Sequence, residues 1–283
     1  MKNKNIIGLI LSSGLFVIGF VIHGNVGLYF NISGLFIVCG GTLSAALISF
    51  KFEQLQIVIK VLTAAYRKPI MRETEIISIL IDLSIRSRVE GILSLQDKEN
   101  ETTFLFLRRA LGCLVDGYHI DQIRDILNTE MYFFRLRRED SERILRAIAD
   151  YLPAFGIVGS VVGLITMLGG IGDTSVILQA IPIALTSTLY GLILSNFFFL
   201  PFAANIKERT NQELLLQKII MEGVISINSE LNPVILKTKL ESFLTPSDRE
   251  VELVSYAKIR ERFNIEREQQ NKERKEGPSE KTD

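Results

Sequence analysis

The sequence predicts an all-α integral membrane protein: four transmembrane helices, a large helical cytoplasmic domain between helices 2 and 3, and a helical cytoplasmic segment after helix 4. Three observations predict it. No Lys, Arg, Asp or Glu occurs from Asn5 to Phe50, and only Asp173 occurs from Tyr151 to Ile206, although 23% of the 283 residues are charged. Basic residues flank both of these stretches and are missing from the short breaks that divide them. Outside them, apolar residues recur at three- and four-residue spacing, and no alternating strand pattern competes.

A bilayer core roughly 30 Å thick needs about 20 apolar helical residues at ~1.5 Å each. Each uncharged stretch therefore holds two spans. The first divides at HGNVG, residues 23 to 27, into spans near 5–22 and 29–50. The second divides at GDTSV, residues 172 to 176, into spans near 151–171 and 177–202. A soluble protein with long core helices would show a polar face on each, and these do not. Lys2 and Lys4 precede the first span, Lys51, Lys60, Arg67 and Lys68 follow the second, Arg137, Arg138, Arg143 and Arg146 precede the third, and Lys207 and Arg209 follow the fourth. The positive-inside bias then puts both termini and the segment 51–150 of this multi-pass protein in the cytoplasm. The N-terminal MKNKNIIGLILSSG reads as an uncleaved anchor rather than a signal peptide, because no small-residue cleavage site is convincing and a second span follows at once.

The organisation expected is thus spans 1 and 2 in 1–50, a helical cytoplasmic domain in 51–150, spans 3 and 4 in 151–202, cytoplasmic helices in 203–245 and a charged, disordered tail in 246–283. Within the cytoplasmic parts the periodicity predicts helices over 53–66, 74–87, 102–115, 119–128, 133–150, 203–227 and 233–245, with Pro69 and Gly91 as punctuation. Thr74 lacks the glutamate of a capping box three residues on.

Several classes of chemistry find no footing. Lys+Arg and Asp+Glu balance at 32 each, so net charge points to no nucleic acid. Cys39 and Cys113 are too few and too separate for a metal or disulfide framework, and His23 and His119 share no environment. The chain has no phosphate loop, and its glycines at 156, 159 and 163 do not form a dinucleotide fingerprint. No enzyme, metal or cofactor is expected.

What the spans do carry is a pattern of small and hydroxyl residues. Gly156, Gly159, Ser160 and Gly163 share one helical face, and Ala184, Ser187, Thr188, Gly191 and Ser195 share another. Such faces either let helices pack closely, with hydroxyls bonded back to their own backbone, or line a polar path between them. Pro153 at the cytoplasmic entry of the third span and Pro201 at the cytoplasmic exit of the fourth are expected at one membrane level, as paired hinges, and Pro182 is expected to break the outer end of the fourth.

The runs AFGIVGSVVGLI (154–165) and IALTSTLYGLILSNFFFLPFAANIKER (183–209), with the large loop after span two, resemble the MotA/PomA family of flagellar motor stator subunits over about residues 5–245. The resemblance implies a pentamer around the single transmembrane helices of a MotB/PomB-like, peptidoglycan-binding dimer. Ions would pass an aspartate of that partner, and the cytoplasmic loop would push on the rotor switch protein. Pro153 and Pro201 match the family's two functional prolines, and Ser160 and Thr188 match positions beside its ion path, to which the shared face adds Ser187. In SIRSRVEGILSLQD the resemblance carries a rotor contact onto Arg88 and Glu90, with the usual acidic position falling on Gln96 or on the adjacent Asp97. The ion is H+ or Na+; the Ser160 hydroxyl leans the reading toward sodium, a hard cation that needs oxygen ligands. Alternatives are an ExbB/TolQ-like energising subunit, which would have three spans, and a structural membrane scaffold. A secondary transporter would show internal repeats, and none is found.

Overall fold

The computed structural model describes residues 26–67, 70–96, 104–171 and 173–246, together with residues 11, 14–16, 18, 19 and 22. Every regular element among the described residues is helical. The helices are α1 (Ile32–Ser49), α2 (Phe52–Arg67), α3 (Glu73–Glu90), α4 (Leu105–Val115), α5 (Ile120–Gly169), α6 (Thr174–Ile193), α7 (Leu200–Asn228) and α8 (Pro233–Glu241). Three of them, α1, α5 and the α6–α7 run, contain stretches long and apolar enough to cross a membrane. Only 22% to 28% of those stretches is buried within the chain, which leaves most of their apolar surface for lipid or other subunits. Most of the first predicted span and the whole tail beyond Pro246 lie outside the described residues.

Local chemistry sets the helix ends. Asn31 caps α1 by accepting from the Gly34 N–H at 2.9 Å, and Asp173 caps α6 by accepting from the Ser175 N–H at 2.9 Å. The Gln54 side chain reaches back to the Lys51 N–H at 3.0 Å, the reciprocal half of a capping box, at the start of α2. α8 combines an Asn232 cap with Pro233 in its first turn. α3 begins at Glu73 after Arg72, which makes no side-chain cap bond, so Thr74 has no capping role.

Three expectations are corrected. The predicted segments 119–128, 133–150 and 151–171 are one helix of 50 residues, α5, with Pro153 in its interior. Residues 129–132 contain neither proline nor glycine, so nothing there stops a helix, and a single proline removes one hydrogen bond without ending a helix packed on both sides. Pro182 likewise lies inside α6, which starts at Thr174 rather than at 177. The fourth span continues without a break into the segment predicted as 203–227, through a π-helical turn at Leu194–Phe199 where the Leu200 N–H bonds the Ser195 carbonyl five residues back. Pro201 accounts for that turn: its ring crowds the carbonyl four residues earlier, and a one-residue bulge re-phases the helix ahead of it.

The chain forms two compact units. One joins Met1–Ala64 with Asp140–Ile206, the other Ala65–Glu139 with Lys207–Asp283. The core of the second is built from Ile76, Leu80, Leu107, Leu111, Ile123, Leu216 and Leu236, contributed by α3, α4, the start of α5, α7 and α8. In the first, Val58, Ile144, Leu145, Ala203 and Ile206 form a smaller cluster.

Candidate functional site

The uncharged helices of the first unit meet through their glycines. A Cβ placed on Gly163 would stand 2.6 Å from the Ala184 nitrogen, one on Gly159 2.5 Å from the Ser187 Cβ, one on Gly156 3.1 Å from the Ser187 carbonyl oxygen, and one on Gly191 2.5 Å from the Leu152 carbonyl oxygen. These contacts run in opposite directions along α5 and α6, so the two helices are antiparallel and pressed backbone to backbone. α1 closes over them. A Cβ placed on Gly34 would stand 2.8 Å from the Ser187 Oγ, and one on Gly41 would strike the Phe155 ring. The small faces read from the sequence are therefore the contact faces, as helix association in a membrane requires.

At the centre of this contact, hydroxyls and carbonyls converge. Ser160 Oγ is 2.5 Å from Thr188 Oγ1 and donates to the Ala184 carbonyl, while Thr188 Oγ1 lies 3.3 Å from the Gly156 carbonyl oxygen. Ser160 and Thr188 thus sit together with two backbone carbonyls, half-buried. Ser187 is fully buried and faces Gly34 and Gly159; its hydroxyl bonds the Ile183 carbonyl at 2.7 Å. The structure does not bring Ser187 into the Ser160–Thr188 pair.

The prolines are not level. Gly191 packs on the backbone of Leu152 and Pro153, with its notional Cβ 3.1 Å from the Pro153 Cα, so Pro153 is level with Gly191. Pro201 lies ten residues further along, about 15 Å at ~1.5 Å per residue. The expectation of one shared depth took both prolines as helix ends, whereas α5 and the α6–α7 run continue past them.

In the second unit, α3 ends at Gly91, whose φ of 88° turns the chain into a short 3-10 turn, Ile92–Leu95. Arg86 and Glu90 pair at 2.8 Å. Arg88 instead donates at 2.5 Å to the carbonyl of Glu230, which caps α7 at a positive φ of 53° with the Leu231 N–H bonding the Ser226 carbonyl at 3.0 Å. The Arg88 charge is thereby held in place by a neutral oxygen rather than a carboxylate. Gln96 follows the 3-10 turn and is exposed; Asp97 lies outside the described residues.

Two polar residues of these helices escaped the sequence reading. Tyr190 OH donates to the Tyr29 carbonyl at 2.5 Å and accepts from the Asn31 N–H at 2.7 Å, fastening the start of α1 to α6. A phenol in mid-span needs a polar partner, which is the signal that marks it. Thr42, on the buried face of α1 with Gly34, Val38 and Ala46, is the other. Among the described residues no group of His, Cys, Asp and Glu is arranged to hold a metal ion.

The family model described as the MotA/TolQ/ExbB proton channel family matches residues 98–218. The chain is 30% identical over 253 residues to chemotaxis protein PomA of Vibrio alginolyticus, covering 89% of this chain and 99% of that protein. It is 33% identical over 223 residues to motility protein A of Borreliella burgdorferi, covering 79% and 86%. Among solved structures, the C. jejuni MotAB structure matches with a TM-score of 0.79 at 25% identity, covering 87% of this chain and 97% of that one. The flagellar MotAB stator complex from Bacillus subtilis matches with a TM-score of 0.79 at 28% identity, covering 86% and 96%.

Proposed function

This chain belongs to the MotA/TolQ/ExbB proton channel family as a stator subunit of the bacterial flagellar motor, and from that premise we propose that it couples passage of an ion past the Ser160–Thr188 pair to torque on the rotor. The family comprises stator and ion-channel subunits rather than enzymes, and its apolar helices make this a multi-pass membrane protein.

The convergence of Ser160 Oγ, Thr188 Oγ1 and the carbonyls of Ala184 and Gly156 carries the reading. These are four neutral oxygens with no carboxylate among them. An intramembrane charge costs at least about 2.5–3.5 kcal/mol even on insertion scales, so ionisable groups there are rare and functional. The sequence supplies no carboxylate within the spans, and that group is therefore assigned to a transmembrane aspartate of a MotB/PomB-like, peptidoglycan-binding partner. The matched MotAB complexes support such a partner. The assembly proposed is a pentamer of this chain around that partner, in the inner membrane with both termini cytoplasmic. Arg88, Glu90, Gln96 and Asp97 form the proposed rotor contact, with Arg88 the unneutralised cation. Pro153 and Pro201 act as flexible points at two depths of the membrane unit.

An oxygen-only cage completed by one carboxylate suits a desolvated sodium ion, whereas a proton needs only the carboxylate and a file of waters. With potassium replacing sodium at fixed pH and proton-motive force, swimming speed is expected to fall with sodium. Undiminished speed at trace sodium assigns the ion as H+. For either ion, Ser160→Ala and Thr188→Ala at normal membrane levels are expected to lower motor speed; normal swimming by both variants removes the pair from the ion path and favours a packing role.

A further inference from the structure

The end of α7 is closed by two backbone bonds. The Leu231 N–H bonds the Ser226 carbonyl at 3.0 Å and the Glu230 N–H bonds the Ile227 carbonyl at 2.9 Å, around Glu230 at a φ of 53°. In this cap the left-handed position ordinarily holds glycine, and here it holds a residue with a Cβ. The Glu230 carbonyl lies beyond the last bond of the helix, and it accepts from Arg88 at 2.5 Å.

Packing in the second unit brings the two together. A Cβ placed on Gly223 would stand 2.7 Å from Leu80 Cδ1, so α7 and α3 lie close at that point in the core. Arg88 is eight residues beyond Leu80, and Glu230 is seven beyond Gly223. The two helices therefore run side by side in one direction from the first contact to the second. α8 braces the cap. It starts where Asn232 Oδ1 accepts from the Val234 N–H at 2.9 Å, and its Lys239 returns to α7, 2.8 Å from the Glu222 carboxylate and 3.1 Å from Ser226 Oγ.

The electrostatics set Arg88 apart from its neighbour. Arg86 pairs with Glu90 at 2.8 Å, and each offsets the other's charge. A backbone carbonyl takes one of the five N–H donors of a guanidinium and offsets none of its formal charge. The negative end of the α7 dipole favours a cation at this place.

We propose that Glu230 is a positioning residue for the rotor contact: its left-handed backbone holds the carbonyl that fixes the Arg88 guanidinium in one orientation, with its charge presented to a carboxylate of the rotor. The inference rests on the reading of Arg88 as part of that contact. A long side chain oriented in advance loses less entropy on binding, so the cap acts on the strength of the contact as well as on folding. The backbone conformation of Glu230 does this, and its carboxylate has no part in it.

The test separates conformation from charge, in cells carrying the full chain with its partner subunit at equal membrane levels. Glu230→Gly and Glu230→Asn discard the carboxylate but keep a residue that tolerates the left-handed region, and torque should stay at the parent's level. Glu230→Val discards the same charge and disfavours that region, and torque should fall toward that of Arg88→Ala. Glu230→Ala, a milder change, takes its place if Glu230→Val does not accumulate. Gly117, at a φ of 75° with nothing within 4 Å of a notional Cβ, provides the control for stability. Gly117→Val imposes the same kind of conformational penalty elsewhere in this unit and should lower the thermal midpoint of the purified complex while leaving torque unchanged. The proposal is overturned if Glu230→Asn and Glu230→Val give equal torque while Arg88→Ala lowers it, or if Gly117→Val costs as much torque as Glu230→Val at a like fall in midpoint. Normal torque in Arg88→Ala instead removes Arg88 from the rotor contact and takes this inference with it.

Discussion

Replacing Tyr190 with phenylalanine removes one oxygen and two hydrogen bonds. The phenol donates to the Tyr29 carbonyl at 2.5 Å and accepts from the Asn31 N–H at 2.7 Å, and both backbone groups lie where the chain is turning into α1. In an apolar environment such groups find little water. Each buried group left unmade costs about 1–3 kcal/mol, so Tyr190→Phe is expected to destabilise the α1–α6 contact by roughly 2–4 kcal/mol, less wherever water enters. The Asn31 cap on Gly34 is untouched, so α1 itself should still form. Tyr151→Phe is the control: its hydroxyl pairs with that of Ser49 at 2.9 Å in an exposed position, where loss should cost no more than ~0.5–1 kcal/mol. Thermal unfolding of the purified complex, followed with membrane protein levels and swimming speed, reads both variants. A midpoint for Tyr190→Phe equal to that of the parent, or to that of Tyr151→Phe, would refute the reasoning.

The other predictions concern packing and pH. Gly191→Ala and Gly163→Ala push a methyl to within 2.5 and 2.6 Å of backbone atoms and should separate α5 from α6, with loss of assembly or motility, whereas Gly40→Ala, with nothing within 4 Å, should be tolerated in the isolated chain and favour α1 by up to about 1 kcal/mol; equal behaviour of the three would contradict the close backbone contact. The Ser175 hydroxyl and N–H hold the Asp173 carboxyl below the usual carboxylate range. A depressed folded pKa means that the cap's contribution is fully present above the ordinary Asp value of about 3.9 and is lost only as pH falls through the lower folded value. Hydrogen exchange at the start of α6 should therefore stay slow when external pH drops to about 5, and acceleration there would oppose it.

The sequence by itself determined the class of the protein and the faces of its spans. Two long runs without charge point to membrane segments, and glycine, serine and threonine at helical spacing mark a face for close helix contact or for a polar path, because both follow from local composition and the helical period. The family resemblance placed Ser160 and Thr188 each beside an ion path, and the structure brought the two hydroxyls together. The tertiary structure decided what depends on register and on partners distant in sequence. Pro153 looked like a helix start because apolar residues begin there, yet packing on either side carries α5 through it; the level of each proline then follows from which residue of the facing helix it touches. Ser187 shares a face with Thr188 in sequence, but close approach of Gly34 and Gly159 turns it to packing. Arg88 meets the Glu230 carbonyl, and Tyr190 meets Tyr29 and Asn31, across separations of 142 and about 160 residues that no periodicity encodes. A helix period fixes the direction of each side chain about its own axis, and only the packed neighbours determine what stands in that direction.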